Sequence, residues 1–143
     1  MILISHKGNT NGKIDSKENK PDYILEAIDK GFDVEIDVWY TNSNKGWFLG
    51  HDQPQYRVDS DFLKMSEIWC HAKDVNTLNE LLKIKAHCFF HQNDNVTLTS
   101  KGYIWTSPTQ KLTDKSICVL PELQRLDTSL CAGICSDFIG SYV

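Results

Sequence analysis

The 143-residue sequence, 41% hydrophobic and 24% charged, has the make-up of one globular domain over residues 1–143 with enough chain to bury a core. A net charge of −4, with lysines scattered rather than striped, excludes a nucleic-acid footprint. No apolar run approaches the ~20 residues of a membrane span. Met1-Ile2-Leu3-Ile4 is too short for the apolar core of a signal peptide, and the five cysteines lack a CxxC pair and read as reduced, buried thiols. A cytoplasmic location is the expectation from these features together.

In chain order, short apolar runs end in chemically capable residues. Ile2-Leu3-Ile4 predicts a strand ending at Ser5-His6. Pro21 to Lys30 predicts a helix with Tyr23, Ile24, Ala27 and Ile28 on one face and Gly31 as its stop. Phe32 to Val38 predicts a strand carrying Glu35 and Asp37, and Trp47-Phe48-Leu49 one that ends at Gly50-His51-Asp52. Ile68-Trp69-Cys70 leads to His71-Ala72-Lys73, after which Asp74 caps a helix through Leu78, Leu81 and Leu82. Cys88-Phe89-Phe90 leads to His91-Gln92. Further strands are expected at Tyr103-Ile104-Trp105, Ile117 to Leu120 and Gly133-Ile134-Cys135, with segments 93–102 and 107–116 too short or polar for long helices.

Strands alternating with helical or irregular segments predict an α/β protein with a parallel sheet. Candidate chemical groups follow nearly every strand. That pattern fits a TIM-type β barrel, which collects its site from many strand ends, better than an open sheet with one switch point. A full barrel takes ~250 residues, roughly 31 per strand-plus-helix unit. Spread over eight units, 143 residues leave about 18 each. The expectation is therefore a compact, truncated TIM-barrel-like parallel barrel with several outer helices reduced or missing. Its uncovered outer surface leaves room for a second copy of the chain.

Residues two apart in a strand share a face, so Glu35 and Asp37 point one way while Val34, Ile36 and Val38 point the other. Two carboxylates held together repel unless a proton or a cation intervenes, and hard divalent ions favour oxygen ligands. Two harmless acids on a solvent-facing edge would give the same pattern. His6 and His51 each close a strand. Placed in one cleft, they could divide phosphodiester cleavage, one deprotonating the attacking hydroxyl and the other protonating the leaving alkoxide. Lys7 would neutralise phosphoryl charge.

Five blocks occur in order: Ile4-Ser5-His6-Lys7-Gly8, Glu18-Asn19, Ala27 to Gly31, Glu35-Ile36-Asp37-Val38 with Thr41, and Gly50-His51-Asp52. This series resembles the N-terminal signature of glycerophosphodiester phosphodiesterases, which runs His-Arg-Gly, Glu-Asn, Glu-x-Asp-Val-x-x-Thr, His-Asp. The wider superfamily includes phosphatidylinositol-specific phospholipase C. The resemblance implies a TIM barrel, a divalent cation on Glu35 and Asp37, and His6 and His51 as the acid–base pair. It also implies cleavage through a cyclic phosphate and a supporting or metal-proximal role for Glu18.

Downstream the match is looser. His71-Ala72-Lys73 stands where the family has Glu-x-Lys, so His71 would replace a carboxylate ligand and Lys73 would face phosphate. Gly133 to Asp137 resembles the closing strand. Lys7 for Arg exchanges a bidentate clamp for a point charge. His71 for Glu weakens or softens a site otherwise suited to magnesium or calcium, admitting manganese or zinc. His91 ends its strand as a further site-lining candidate, and Trp105 could stack on substrate. Glu122 and Asp137 are rim candidates for substrate hydroxyls, whereas His87 precedes its strand and reads as structural.

The expected function is a metal-dependent hydrolase of a small, soluble glycerol- or polyol-phosphodiester. The exchanges at Lys7 and His71 also allow a catalytically dead relative that holds a phosphorylated ligand. A phospholipase-D-like lyase acting on choline phosphodiesters is a third outcome on the same scaffold.

Overall fold

The alternation along the second strand organises the molecule, because it buries carboxylates on one face and β-branched residues on the other. A computed structural model describes residues 1–124 and 127–143. Its elements are β1 (Ile2–His6), α1 (Pro21–Asp29), β2 (Asp33–Thr41), β3 (Gly46–Leu49), β4 (Tyr56–Val58), α2 (Ser60–Leu63) and β5 (Ile68–Ala72). They are followed by α3 (Val75–Lys83), β6 (Cys88–Phe89), β7 (Val96–Leu98), β8 (Ile104–Thr106), β9 (Ser116–Val119) and β10 (Gly133–Ser136). Short 3-10 turns lie at Pro121–Leu123 and Ile139–Tyr142. No described helix is long and apolar enough to cross a membrane.

The protein is α/β, with few helices and one mixed ten-stranded sheet. Seven strands pair in parallel in the order β6-β5-β2-β1-β10-β9-β8. Against the expectation of an all-parallel barrel, β3 and β4 run antiparallel beside β2, and β7 runs antiparallel beside β8. The cause is loop length. Only residues 42–45 separate β2 from β3, and a parallel crossover needs about a dozen residues or more.

Nor does the sheet close. Among the described residues no ladder joins β6 to β8, since β6 is two residues long and offers almost nothing to pair. Isolated bonds cross the seam instead. Ser100 N donates to Cys88 O at 2.8 Å, and Thr97 Oγ1 to Phe90 O at 3.2 Å.

Two apolar layers follow from the period-two pattern. Val34, Ile36, Val38, Ile68, Cys70 and Ala72 face outward under α1 and α3, whose Ile24, Ala27 and Leu81 complete that core. Ile4, Trp69, Phe89, Trp105, Ile117 and Cys135 form a second cluster inside the curve of the sheet. Pro21 occupies the first turn of α1, where its missing N–H costs nothing. Asp74 caps α3 by accepting from Thr77 N at 2.7 Å. Leu82, expected on the buried face of α3, is exposed. All five cysteines are free and buried, as expected.

Candidate active site

Above the inner apolar cluster, the next inward-facing positions are polar. Parallel register sets His6 opposite Glu35 and Asp37 opposite His71, so β1, β2 and β5 deliver these groups to the same end of the sheet. They line a cavity of about 430 Å³ together with Lys7, His51, His91 and Trp105. Glu35 and Asp37 are 2% and 1% exposed. Carboxylates this buried need charged or hydrogen-bonding compensation.

Asp37 receives that compensation in full. Asn19 Nδ2 donates to its Oδ2 at 3.0 Å, and the Asp37 backbone N–H donates to Asn19 Oδ1 at 3.0 Å. His71 Nδ1 lies 3.3 Å from Oδ1 and His51 Nδ1 3.3 Å from Oδ2, with Lys7 and Lys73 at 3.6 and 3.8 Å. Burial alone would raise its pKa. Hydrogen bonds from His51 and His71 and the charges of Lys7 and Lys73 outweigh burial and hold the carboxyl well below the ordinary range.

Glu35 is less satisfied. His6 Nε2 stands 3.7 Å from Oε1 and His71 Nδ1 3.6 Å from Oε2, and Oε1 is buried with no hydrogen-bond partner. Burial would lower the His71 pKa, but hydrogen bonds to Asp37 and Glu35 raise it to about 9. One ligand atom from each of Glu35, Asp37 and His71 falls within a 4.8 Å set. A set of two carboxylates and one imidazole, with an orphaned buried carboxylate oxygen, fits a divalent cation.

The two histidines are held differently. His6 Nδ1 is 2.8 Å from Asp137 Oδ1, and Asn9 Nδ2 donates to the same oxygen at 2.9 Å. Burial would lower the His6 pKa. The hydrogen bond to Asp137 and the charges of Glu35 and Asp137 raise it overall. The side chain of His51 is 57% exposed at the cavity mouth. Its loop is tied down by Trp39 Nε1, which donates to Gly50 O at 2.7 Å. Lys7 Nζ is 3.0 Å from His51 Nδ1. The neutral ring therefore accepts from Lys7 at Nδ1 and carries its proton on Nε2, while the protonated ring donates to Asp37.

Lys7 reaches inward because the chain turns sharply after β1. It takes a left-handed φ of 60°, Asn9 N donates back to His6 O at 3.0 Å, and Gly8 follows at φ 99° with Tyr23 packed against it. Burial would lower the Lys7 pKa, but Asp37 and Glu35 outweigh it and keep the ammonium charged.

Of the expected site residues, His6, Lys7, Glu35, Asp37, His51, His71, His91 and Trp105 line the cavity. Trp105 forms its floor rather than a stacking platform: it is 6% exposed and pressed on Phe89 at 4.5 Å between ring centres. Glu18 is not among the lining residues. Its Oε2 accepts from Asn9 Nδ2 at 2.7 Å, and the same amide donates to Asp137, so Glu18 is linked to the His6 partner rather than to the cavity. Lys73 also stands behind the wall, facing Asp37.

His91 stacks on His71 at 4.6 Å, and burial followed by the His71 charge lowers its pKa. His87 lies away from the cavity. It is bonded to Thr99 Oγ1 at 2.8 Å and packed on Trp69, in agreement with its structural assignment. Asp137, expected only at the rim, is the partner of His6, and Asn9 and Asn19, which no strand end marks in the sequence, donate to Asp137 and Asp37. The one sequence signal for Asn19 was its place in the Glu18-Asn19 block.

Comparison with protein-family models, curated proteins and solved structures yields no match in any of the three.

Proposed function

We propose that the chain is a metal-dependent phosphodiester hydrolase, a short and divergent relative of the glycerophosphodiester phosphodiesterases. On this reading the curved, seamed sheet is a truncated barrel of the TIM type. One observation carries the proposal. Two histidines contact opposite members of a buried Glu35–Asp37 pair, His6 through Glu35 and His51 through Asp37, while His71 touches both carboxylates.

Glu35, Asp37 and His71 would hold the divalent cation, magnesium or calcium first and manganese or zinc with the imidazole ligand. Bound there, the cation supplies Lewis-acid stabilisation of the phosphoryl oxygens. Lys7, kept charged and 6% exposed, adds a fixed positive charge on the same side. One histidine takes the proton of the attacking hydroxyl and the other returns a proton to the leaving alkoxide. His51 stands at the cavity mouth with its Nδ1 3.0 Å from Lys7 Nζ and 3.3 Å from Asp37 Oδ2. Asp137 holds the His6 ring in place with its Nε2 toward the carboxylate pair.

A second reading has one observation in its favour. Lys7, Lys73 and His71 already surround Asp37 with positive charge. A non-catalytic protein that holds a phosphorylated ligand would need no more. Hydrolysis of a panel of soluble phosphodiesters, with and without added divalent cations, separates the two. The expected outcome is cation-dependent turnover that falls at least about a hundredfold in His6→Ala and in His51→Ala. Unchanged turnover in either variant removes that histidine from the mechanism, and ligand binding without turnover of any diester favours the second reading.

A further inference from the structure

The turn after β1 does more than aim Lys7. Its Asn9 side chain is fully buried and bonded at both ends of the amide. Nδ2 donates to Glu18 Oε2 at 2.7 Å and to Asp137 Oδ1 at 2.9 Å. Oδ1 accepts from the Tyr23 hydroxyl at 3.0 Å and from the Ile14 backbone N–H at 3.3 Å. These partners leave the amide one orientation. Turned over, it would set its oxygen against two carboxylates and its N–H groups against two donors.

Only the bond from Ile14 N serves the backbone of the loop itself. The others reach the Tyr23 side chain on α1, the Glu18 carboxylate and, from the far end of the chain, Asp137. The same loop also grips Asp137 by its main chain. Gly12 N donates to Asp137 O at 2.8 Å, and Gly140 N returns a bond to Thr10 O at 2.9 Å. Asp137 Oδ1 thus takes both His6 Nδ1 and Asn9 Nδ2. The terminal torsion of an aspartate is soft, so a carboxylate with one partner can swing when that partner moves. A second donor on the same oxygen, itself anchored from both ends, removes that freedom.

We infer that Asn9 is a positioning residue, the link through which α1 and the loop after β1 hold the Asp137 carboxylate against the His6 ring. This rests on the proposed hydrolase reading, in which His6 moves a proton, and extends it one residue beyond the His6–Asp137 pair. Asn9 does not line the cavity, so its loss acts on the chemical step and leaves substrate binding alone.

The test is hydrolysis of the ethyl and choline esters of glycerol phosphate with added magnesium. Asn9→Ala is expected to lower kcat at least about tenfold, with KM within about twofold of the wild type. Tyr23→Phe removes one anchor of the amide from a half-buried helix position, and lowers kcat about two- to fivefold in the same manner. In an Asp137→Ala background both losses shrink toward nothing, because the group they act through is already gone. Equal fold losses in the two backgrounds, or a rise in KM that accounts for the effect, would overturn the assignment. If Asn9→Ala does not fold, Tyr23→Phe decides the cycle alone.

Absence of turnover on both esters by the wild type defeats the hydrolase reading instead. Proton NMR then decides the positioning role. A downfield, slowly exchanging His6 Nδ1 proton, identified by its loss in His6→Ala and broadened in Asn9→Ala or Tyr23→Phe, retains the link. A resonance unchanged in both variants, or none in the wild type, removes it.

Discussion

At the scale of single residues, the most consequential contact is the 2.8 Å bond between His6 Nδ1 and Asp137 Oδ1. It fixes which ring nitrogen faces the carboxylate pair and helps raise the His6 pKa. Asp137→Asn keeps the shape but removes the charge. On the proposed mechanism it lowers kcat/KM by about 10–100-fold, the usual effect of losing a group that orients a functional histidine. The pH–rate limb belonging to His6 moves to lower pH, because a raised pKa relaxes when its anion is removed. A rate loss without that movement would show Asp137 to be a packing residue only.

His71→Glu makes an opposite case. A third carboxylate replaces a nitrogen ligand, so calorimetry should record magnesium or calcium binding at least about tenfold tighter. Unchanged affinity would place the cation elsewhere. These residues were unequally legible from sequence. His6, His51 and His71 announce themselves at the ends of apolar runs, and Glu35 and Asp37 by their two-residue spacing on one face of a strand. Asn9, Asn19 and the partnership of Asp137 do not, since the last joins residues 131 positions apart and no local pattern encodes it.

At the scale of elements, the turn after β1 carries more than its length suggests. Gly8 sits at φ 99°, and a Cβ there would run into the Tyr23 ring, whose hydroxyl donates to Asn9 Oδ1 at 3.0 Å. Gly8→Ala therefore strains the backbone and pushes on the helix that holds Tyr23. The expected loss is about 1–3 kcal/mol of stability in chemical denaturation, with activity falling further because Lys7 and Asn9 flank the strained residue. Wild-type stability in this variant would mean that the turn relaxes freely.

α1 and α3 were readable because stop, cap and apolar spacing agree locally. The antiparallel placements of β3, β4 and β7 were less so. A run of apolar residues specifies a strand but not its direction, and direction here is imposed by loops too short to cross over. The open seam was hidden for a related reason: it depends on β6 being two residues long, a boundary that the apolar run Cys88-Phe89-Phe90 does not reveal.

At the scale of the whole molecule, buried histidines set opposing pH limits on folding. His87 is packed on Trp69 and bonded to Thr99, and burial, with a smaller contribution from Lys101, lowers its pKa to about 4. Below its ordinary value of 6.5 the unfolded chain binds a proton that the folded chain refuses. Stability is therefore full above pH 6.5, declines as pH falls toward about 4, and loses nothing further from this group below that.

His71 has the opposite sign. Raised to about 9, it stabilises the metal-free fold fully below pH 6.5 and loses that contribution as pH climbs through 9. The depressed carboxyls Asp37 and Asp137 act only below their ordinary value of 3.8, so the interval from 6.5 to 4 belongs to the histidines lowered by burial, His87 and His91, of which His87 is lowered to about 4. Thermal melts in chelator across that interval should show a falling midpoint for the wild type and a flatter profile for His87→Gln, whose amide can retain the Thr99 bond. Parallel profiles would mean that the imidazole is reached by water and protonates in place. The acid sensitivity in that interval would then have to come from His91, whose pKa burial also lowers from 6.5.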